Sequence, residues 1–207
     1  MLHLILPQYC LGCGKEGSAL CLSCEESISK QGGILFLPGN NLKVVLFAGW
    51  FKETIWKNLI HQFKYEKIFG LSGLLAEKMG EVARAHIFRE DFLLVPIPLY
   101  WRKKQSRGFN QAEVLARALA EKLDRKFCPA LWRIRGTASQ TALTKNERLE
   151  NVKNVFQLNP RFRDFIQNKN ILLVDDVFTT GATLNEAAKV LKKAGAGEVW
   201  GLVAVKD

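Results

Sequence analysis

Nowhere in these 207 residues does an apolar run approach the roughly 20 residues of a membrane-spanning helix. The opening Met1-Leu2-His3-Leu4-Ile5-Leu6-Pro7 is apolar but short. It has neither the basic flank nor the small-residue cleavage site of a signal peptide, so a cytoplasmic protein is the expectation. Histidine is scarce, at three residues. His61 and His86 fall within apolar helical stripes and are assigned no chemistry. Internal repeats and low-complexity tracts are absent, which excludes solenoid and fibrous classes. Acidic residues are also outnumbered, 20 against 30 basic, for a net charge of +10. The imbalance is local: residues 1–50 hold three of each sign, whereas Leu99 to Arg148 hold twelve basic residues and four acidic. A basic stretch of that density attracts polyanions such as pyrophosphate, nucleotides or nucleic acid.

The most informative stretch is Ile171 to Leu184. Ile171 to Val174 reads as a short buried parallel strand that turns polar at Asp175-Asp176. Thr179-Thr180-Gly181-Ala182-Thr183 follows, then a helix with Leu184, Ala188 and Leu191 on one face and Gly195 as its stop. Backbone N–H groups of a tight turn opening a helix, with the positive end of the helix dipole, hold a phosphate without a lysine. The threonine hydroxyls add donors, and the two carboxylates suit ribose hydroxyls and, through water, Mg2+. The pattern therefore reads as a site for a phosphorylated sugar. It resembles the 5-phosphoribosyl-1-pyrophosphate (PRPP) motif of type I phosphoribosyltransferases.

Cys10, Cys13, Cys21 and Cys24 have the spacing Cys-x2-Cys-x7-Cys-x2-Cys. Two knuckles of two thiolates each complete a tetrahedral Zn2+ site with no open position, which predicts a structural role. Two disulfides are the competing account, disfavoured in a reducing compartment. Cys128 stands apart and reads as a small core residue.

Taken in order, residues 1–41 form this module and a Gly/Pro/Asn-rich linker or hairpin (Gln31 to Asn41), and residues 42–207 the main domain. Leu42 to Phe51 reads as a strand. Helices follow with Ile55, Leu59 and Phe63 on one face, then Leu71, Leu75, Met79 and Val82. Phe92 to Pro98 is a strand ended by its prolines. It leads into a basic loop, Leu99 to Gln111, with Arg102, Lys103, Lys104 and Arg107, and then a helix. Leu131 to Ile134 and Val155 to Leu158 are short strands around a long polar segment that suits a mobile lid, with Gln140, Thr141, Lys145 and Arg148. Val199 to Val205 is another buried strand. In an open α/β sheet, loops after the carboxyl ends of strands build the ligand site, so the basic and Thr-rich loops are expected to share a crevice.

Over nearly its whole length the chain resembles the ComF family of competence proteins, which includes GntX-like members. The resemblance rests on the cysteine module, Val95-Pro96-Ile97-Pro98, Arg107-Gly108-Phe109-Asn110-Gln111, Gln140-Thr141 with Arg148 and Asn151, and Asp175 to Thr183. Asn154-Val155 departs from the family pattern, where smaller residues are expected. The likeness implies a type I phosphoribosyltransferase fold, with a five-stranded parallel sheet flanked by helices and a small N-terminal zinc ribbon. It also implies PRPP binding with Mg2+ and a part in DNA uptake beside a partner helicase.

On that reading Asp175 and Asp176 hold the ribose. Phe178, Thr179, Thr180, Gly181, Ala182 and Thr183 anchor the 5-phosphate. Arg102, Lys103 and Arg107 take the leaving pyrophosphate, with Lys145 and Arg148 as lid residues. Another reading is a non-catalytic adaptor for single-stranded DNA, in which Trp101 and Phe109 stack on bases beside Arg102, Lys103, Lys104 and Arg107. A salvage enzyme is a third, with little room after Val203 for a base-recognising hood and an N-terminal hood from Leu42 to Lys67 as the remaining option.

Overall fold

A computed structural model describes residues 9–28, 32–65, 70–87, 91–136 and 151–207. Its main sheet is built from β1 (Gly33–Phe36), β2 (Val44–Trp50), β3 (Phe92–Pro96), β6 (Asn170–Phe178) and β7 (Val199–Lys206), in the order β1-β2-β7-β6-β3. The pairs β2 with β7, β7 with β6, and β6 with β3 are parallel. β1 runs antiparallel to β2. The resemblance implied five parallel strands, and β1 departs from it because the short connection to β2, closed by Leu37 N–H donating to the Lys43 carbonyl, can only reverse the chain. The stretch expected as linker or hairpin is thus a hairpin whose first strand joins the main sheet.

Strand alternation sets the layers. Leu172 and Val174 face one core and Ile171 and Leu173 the other, all four without exposed surface. On the first face lie α1 (Leu22–Ile28), α2 (Thr54–Tyr65), α3 (Gly70–His86) and α5 (Gln111–Leu123). α2 places Trp56, Leu59, Ile60 and Phe63 inward, an i, i+3, i+4, i+7 stripe. The second face is covered by a helix, α6 (Ala182–Lys193), and by the two-stranded ribbon β4 (Leu131–Arg133) with β5 (Phe156–Leu158). Cys10, Leu20 and Ile28 of the cysteine module pack into the same core cluster as α2 and α3. Cys128 is fully buried, and burial pushes its thiol up to about 11, as suits a core residue. Asn154, the departure from the family pattern, takes a left-handed backbone at φ 54°, and its N–H donates to Glu186 Oε1 at 2.9 Å. Among the described residues no helix is long and apolar enough to cross a membrane.

Two local readings change. β6 continues through the acid pair to Phe178, because Asp175, Val177 and Phe178 keep register with Val203, Val205 and Lys206 of β7. The basic stretch after β3 is a short helix, α4 (Trp101–Arg107), where a loop was expected.

Candidate functional site

A cavity of about 470 Å3 opens at the carboxyl ends of β2, β3, β6 and β7, where an open α/β sheet places its ligands. One wall is contiguous in sequence: Asp175 to Thr179, then Gly181 to Leu184 at the start of α6. Gly181 has φ 77°, and a Cβ there would stand 2.9 Å from the Phe178 ring. Both facts call for glycine at the helix entry. Thr180 does not line the cavity. Its Oγ1 accepts from Ala182 N–H at 3.4 Å, so it shapes the turn. Phe178, Thr179, Gly181, Ala182 and Thr183 do line the cavity.

The other walls come from remote elements. α4 turns its basic residues in several directions, and only Lys103 and Arg107, one helical turn apart, reach the cavity. Arg102 lies over the Trp101 ring at 5.2 Å, and Lys104 pairs with Glu113 at 3.5 Å, both away from the cavity lining. Asn110 and Gln111 at the start of α5 join the lining. Asn110 Nδ2 donates to the Ile97 carbonyl at 3.1 Å, and Arg107 donates to Gln111 Oε1 at 2.9 Å. Gln111 is buried and its Nε2 has no hydrogen-bond acceptor among the described residues. Lys145 and Arg148, with Gln140 and Thr141, lie outside the described residues.

Two further cations complete the site, and the sequence reading passed over both. Adjacent residues of a strand point to opposite faces, so Asp176 turns toward α2 and Asp175 toward β4. Lys64, in the last turn of α2, bonds Asp176 Oδ2 at 2.8 Å with both side chains mostly buried. Arg133 of β4 lines the cavity on the Asp175 side, and the two attract each other. The signal for Arg133 was an arginine at the inward position beside outward Trp132 in an alternating strand. A lone lysine in the last turn of a helix carries no comparable signal.

The electrostatics are asymmetric. Burial, and then the charge of Asp176, push the Asp175 carboxyl up to about 8, against the opposing pull of the Asp176 N–H, Lys64 and Arg133. The Asp176 N–H donates to Asp175 Oδ1 at 2.9 Å. Burial, followed by the charges of Arg133 and Arg107, holds Lys103 below the usual lysine range. Three cations crowd one wall, and a bound polyanion relieves their repulsion.

The four cysteines of the N-terminal module also come together. Their Sγ atoms lie within 4.8 Å of one another, and Cys13 and Cys21 sulfurs are 3.7 Å apart. Tetrahedral thiolate ligation at a metal–sulfur distance of about 2.3 Å sets sulfur–sulfur edges of about 3.8 Å. For Cys10, burial opposes ionisation, but donors from Cys21, Cys13 and Gly12 bring the thiol down to about 6. Cys24 is pushed up to about 12, by its bond with Cys21 and then by burial. Such a set favours a thiolate at one position and resists it at another, a conflict that a divalent cation removes. The geometry and donors fit a metal ion.

A profile of the phosphoribosyl transferase domain matches residues 109–206, which carry α5, the acid pair and the Thr-rich turn. Competence protein F of Haemophilus influenzae is 32% identical over 201 residues, covering 94% of this chain and 83% of that protein. The chain belongs to the competence protein F (ComF) family. Competence protein ComFC of Bacillus subtilis is 32% identical over 203 residues, covering 94% of this ComF-family chain and 75% of that protein. DNA utilization protein YhgH of Escherichia coli K12 is 34% identical over 149 residues, covering 69% of the chain and 64% of that protein. The mostly parallel sheet flanked by helices is the architecture expected of a ComF-family protein.

Proposed function

We propose that this protein binds PRPP with Mg2+ in the 470 Å3 cavity and transfers its ribosyl carbon to an acceptor, in the service of DNA uptake. The observation that carries the reading is one cavity with three complementary sectors: the Gly181 turn at a helix N-terminus, the Asp175-Asp176 pair, and the crowded wall of Lys103, Arg107 and Arg133. The turn takes the 5-phosphate through the first-turn N–H groups of α6. The acid pair takes the ribose hydroxyls. Lys103, Arg107 and Arg133 face the pyrophosphate and stabilise the charge that grows on it as the bond from C1 to its oxygen breaks and a bond from C1 to the acceptor forms. Asp176, paired with Lys64, favours the positive charge that develops on the ring. Mg2+ bound with the ligand adds charge neutralisation at the leaving group. Zn2+ in the Cys10, Cys13, Cys21 and Cys24 set serves the fold, in a protein working among reduced cytoplasmic thiols. The competence and DNA-utilization names of the relatives support the DNA-uptake role.

A calorimetric titration of PRPP with Mg2+ tests the reading. Saturable binding is expected in the native protein and none in an Asp175→Asn, Asp176→Asn double variant. Absence of binding to folded, zinc-loaded native protein overturns it.

One observation favours a second reading, a single-stranded DNA adaptor beside a helicase. Trp101 is 55% exposed with Arg102 stacked over it, and neither belongs to the cavity. An exposed ring with a guanidinium is a stacking platform for bases.

A further inference from the structure

The cysteine module and the acid pair are joined by one helix. At its amino-terminal half, α2 is fastened to the first knuckle: Asn58 Nδ2 donates to the Leu11 carbonyl at 2.9 Å. A Cβ on Gly12 would stand 2.7 Å from Cys24 Sγ and 3.1 Å from Ile55 Cδ1, so the knuckle backbone lies directly against α2. α1, which carries Cys24, is also tied to α3. The Lys78 ammonium, 6% exposed, lies 3.0 Å from both Glu25 and Glu81.

At the other end of α2, two consecutive residues touch the two sides of the cavity. Phe63 packs edge to face on Phe109 at 5.9 Å, immediately before Asn110 and α5, and Lys64 bonds Asp176. Ile55 to Lys64 spans about 13 Å of helix at 1.5 Å per residue, short enough to move as a rigid unit. The four sulfurs converge to within 4.8 Å of one another, and a metal bound by all four ties the two knuckles together, so the knuckles, and the seat they give α2, depend on the metal.

We propose that the metal state of the four-cysteine module controls ligand affinity in the cavity through α2, with Lys64 as the positioning residue that neutralises Asp176. With metal bound, α2 is seated, Lys64 meets Asp176, and the cavity accepts a polyanion. With metal lost, the seat loosens, Lys64 leaves, and an uncompensated carboxylate faces the incoming phosphates. The proposal rests on the phosphoribosyl reading for the identity of the ligand. The linkage is reciprocal: whatever factor zinc contributes to PRPP affinity, PRPP contributes to zinc retention.

The experiment measures zinc retention by the intact, zinc-loaded protein against a chromogenic chelator, with and without saturating PRPP and Mg2+. PRPP is expected to tighten zinc retention by about tenfold, within the usual range of allosteric couplings. Lys64→Met is expected to retain zinc normally without PRPP and to reduce the PRPP effect to less than about twofold, with Lys64→Arg restoring most of it. Lys57→Met, an exposed lysine on the same helix, should change nothing. Zinc retention indifferent to PRPP, in a protein that binds PRPP, overturns the coupling and leaves the phosphoribosyl reading intact.

If PRPP does not bind at all, that reading fails and the coupling is judged by amide hydrogen exchange at residues 175–183. Asn58→Ala, with zinc still bound, must then raise exchange there as much as Lys64→Met does. Exchange unchanged in both overturns the proposal.

Discussion

The two sides of the cavity are made in different ways. The β6–α6 side is one continuous stretch whose shape is fixed by backbone: a strand end, a left-handed glycine and a helix entry. The opposite side is assembled from single side chains delivered by α2, α4, α5 and β4, which meet only in the folded chain. A wall of the first kind fails if one backbone position is strained. A wall of the second kind loses affinity in portions as its cations are removed. Substitutions therefore separate the two.

The largest effect is expected at Gly181. Valine there must adopt φ 77° and place its Cβ 2.9 Å from the Phe178 ring. Strain of that kind costs about 2–3 kcal/mol for a β-branched residue, and the turn must refold to relieve it. Gly181→Val should abolish detectable PRPP binding by calorimetry and lower stability by about 2 kcal/mol in denaturant titration. Retention of native affinity would show that the turn does not hold the phosphate.

That difference also explains what could be read in advance. The acid pair, the Thr-rich turn and the cysteine spacing each lie within a short stretch, so their grouping is visible in the order of residues. So are the alternating and helical stripes that form the cores, including the two short strands near Leu131 and Val155. Lys64 and Arg133 gain their roles from strand alternation at Asp175-Asp176, which sends one carboxylate to each face and so needs one cation from each layer. The basic stretch after β3 shows what is lost without three dimensions. Read as a loop, it offered Arg102, Lys103 and Arg107 to the leaving pyrophosphate, but as a helix it selects Lys103 and Arg107 and turns Arg102 and Lys104 away. β1 was hidden because a four-residue edge strand among glycines reads as a hairpin or linker with equal ease.

A smaller effect concerns the acid pair at the junction of the two sides. Burial and the charge of Asp176 push the Asp175 carboxyl up to about 8 in the folded chain. The unfolded chain ionises it near pH 4, at about the ordinary value of 3.9. Between those values the unfolded state binds fewer protons, so the folded state loses stability as pH rises from about 4 to 8 and the loss levels off above. A carboxamide at this position does not titrate, and its oxygen still accepts from the Asp176 N–H. Asp175→Asn should therefore raise stability, with a gain that is near zero at about pH 4 and grows to its largest value by about pH 8, in denaturant titrations across that range. A gain that does not change with pH would assign the effect to packing. The variant should be more stable and bind ligand less well, the usual exchange at a functional carboxylate.

The smallest effect is the sharpest test of the assembled wall, because it compares neighbours on one short helix. Removing Lys103 and Arg107 together should weaken PRPP binding by at least about tenfold, the value of two cations facing a polyanion across a partly dry cavity. Removing Arg102 and Lys104 together changes the net charge by the same amount but takes nothing from the cavity, so PRPP affinity should stay within about twofold at 0.15 M salt, where exposed charges beyond about 8 Å are screened. The same pair decides the adaptor reading. If single-stranded DNA lies over Trp101, Arg102→Gln with Lys104→Gln should reduce the salt slope of DNA binding by about 1.4, two phosphate contacts at about 0.7 each. An unchanged slope removes α4's outer face from nucleic-acid binding. Equal effects of the two pairs on PRPP would mean that the wall acts through net charge alone, and that the helix does not choose which cations meet the ligand.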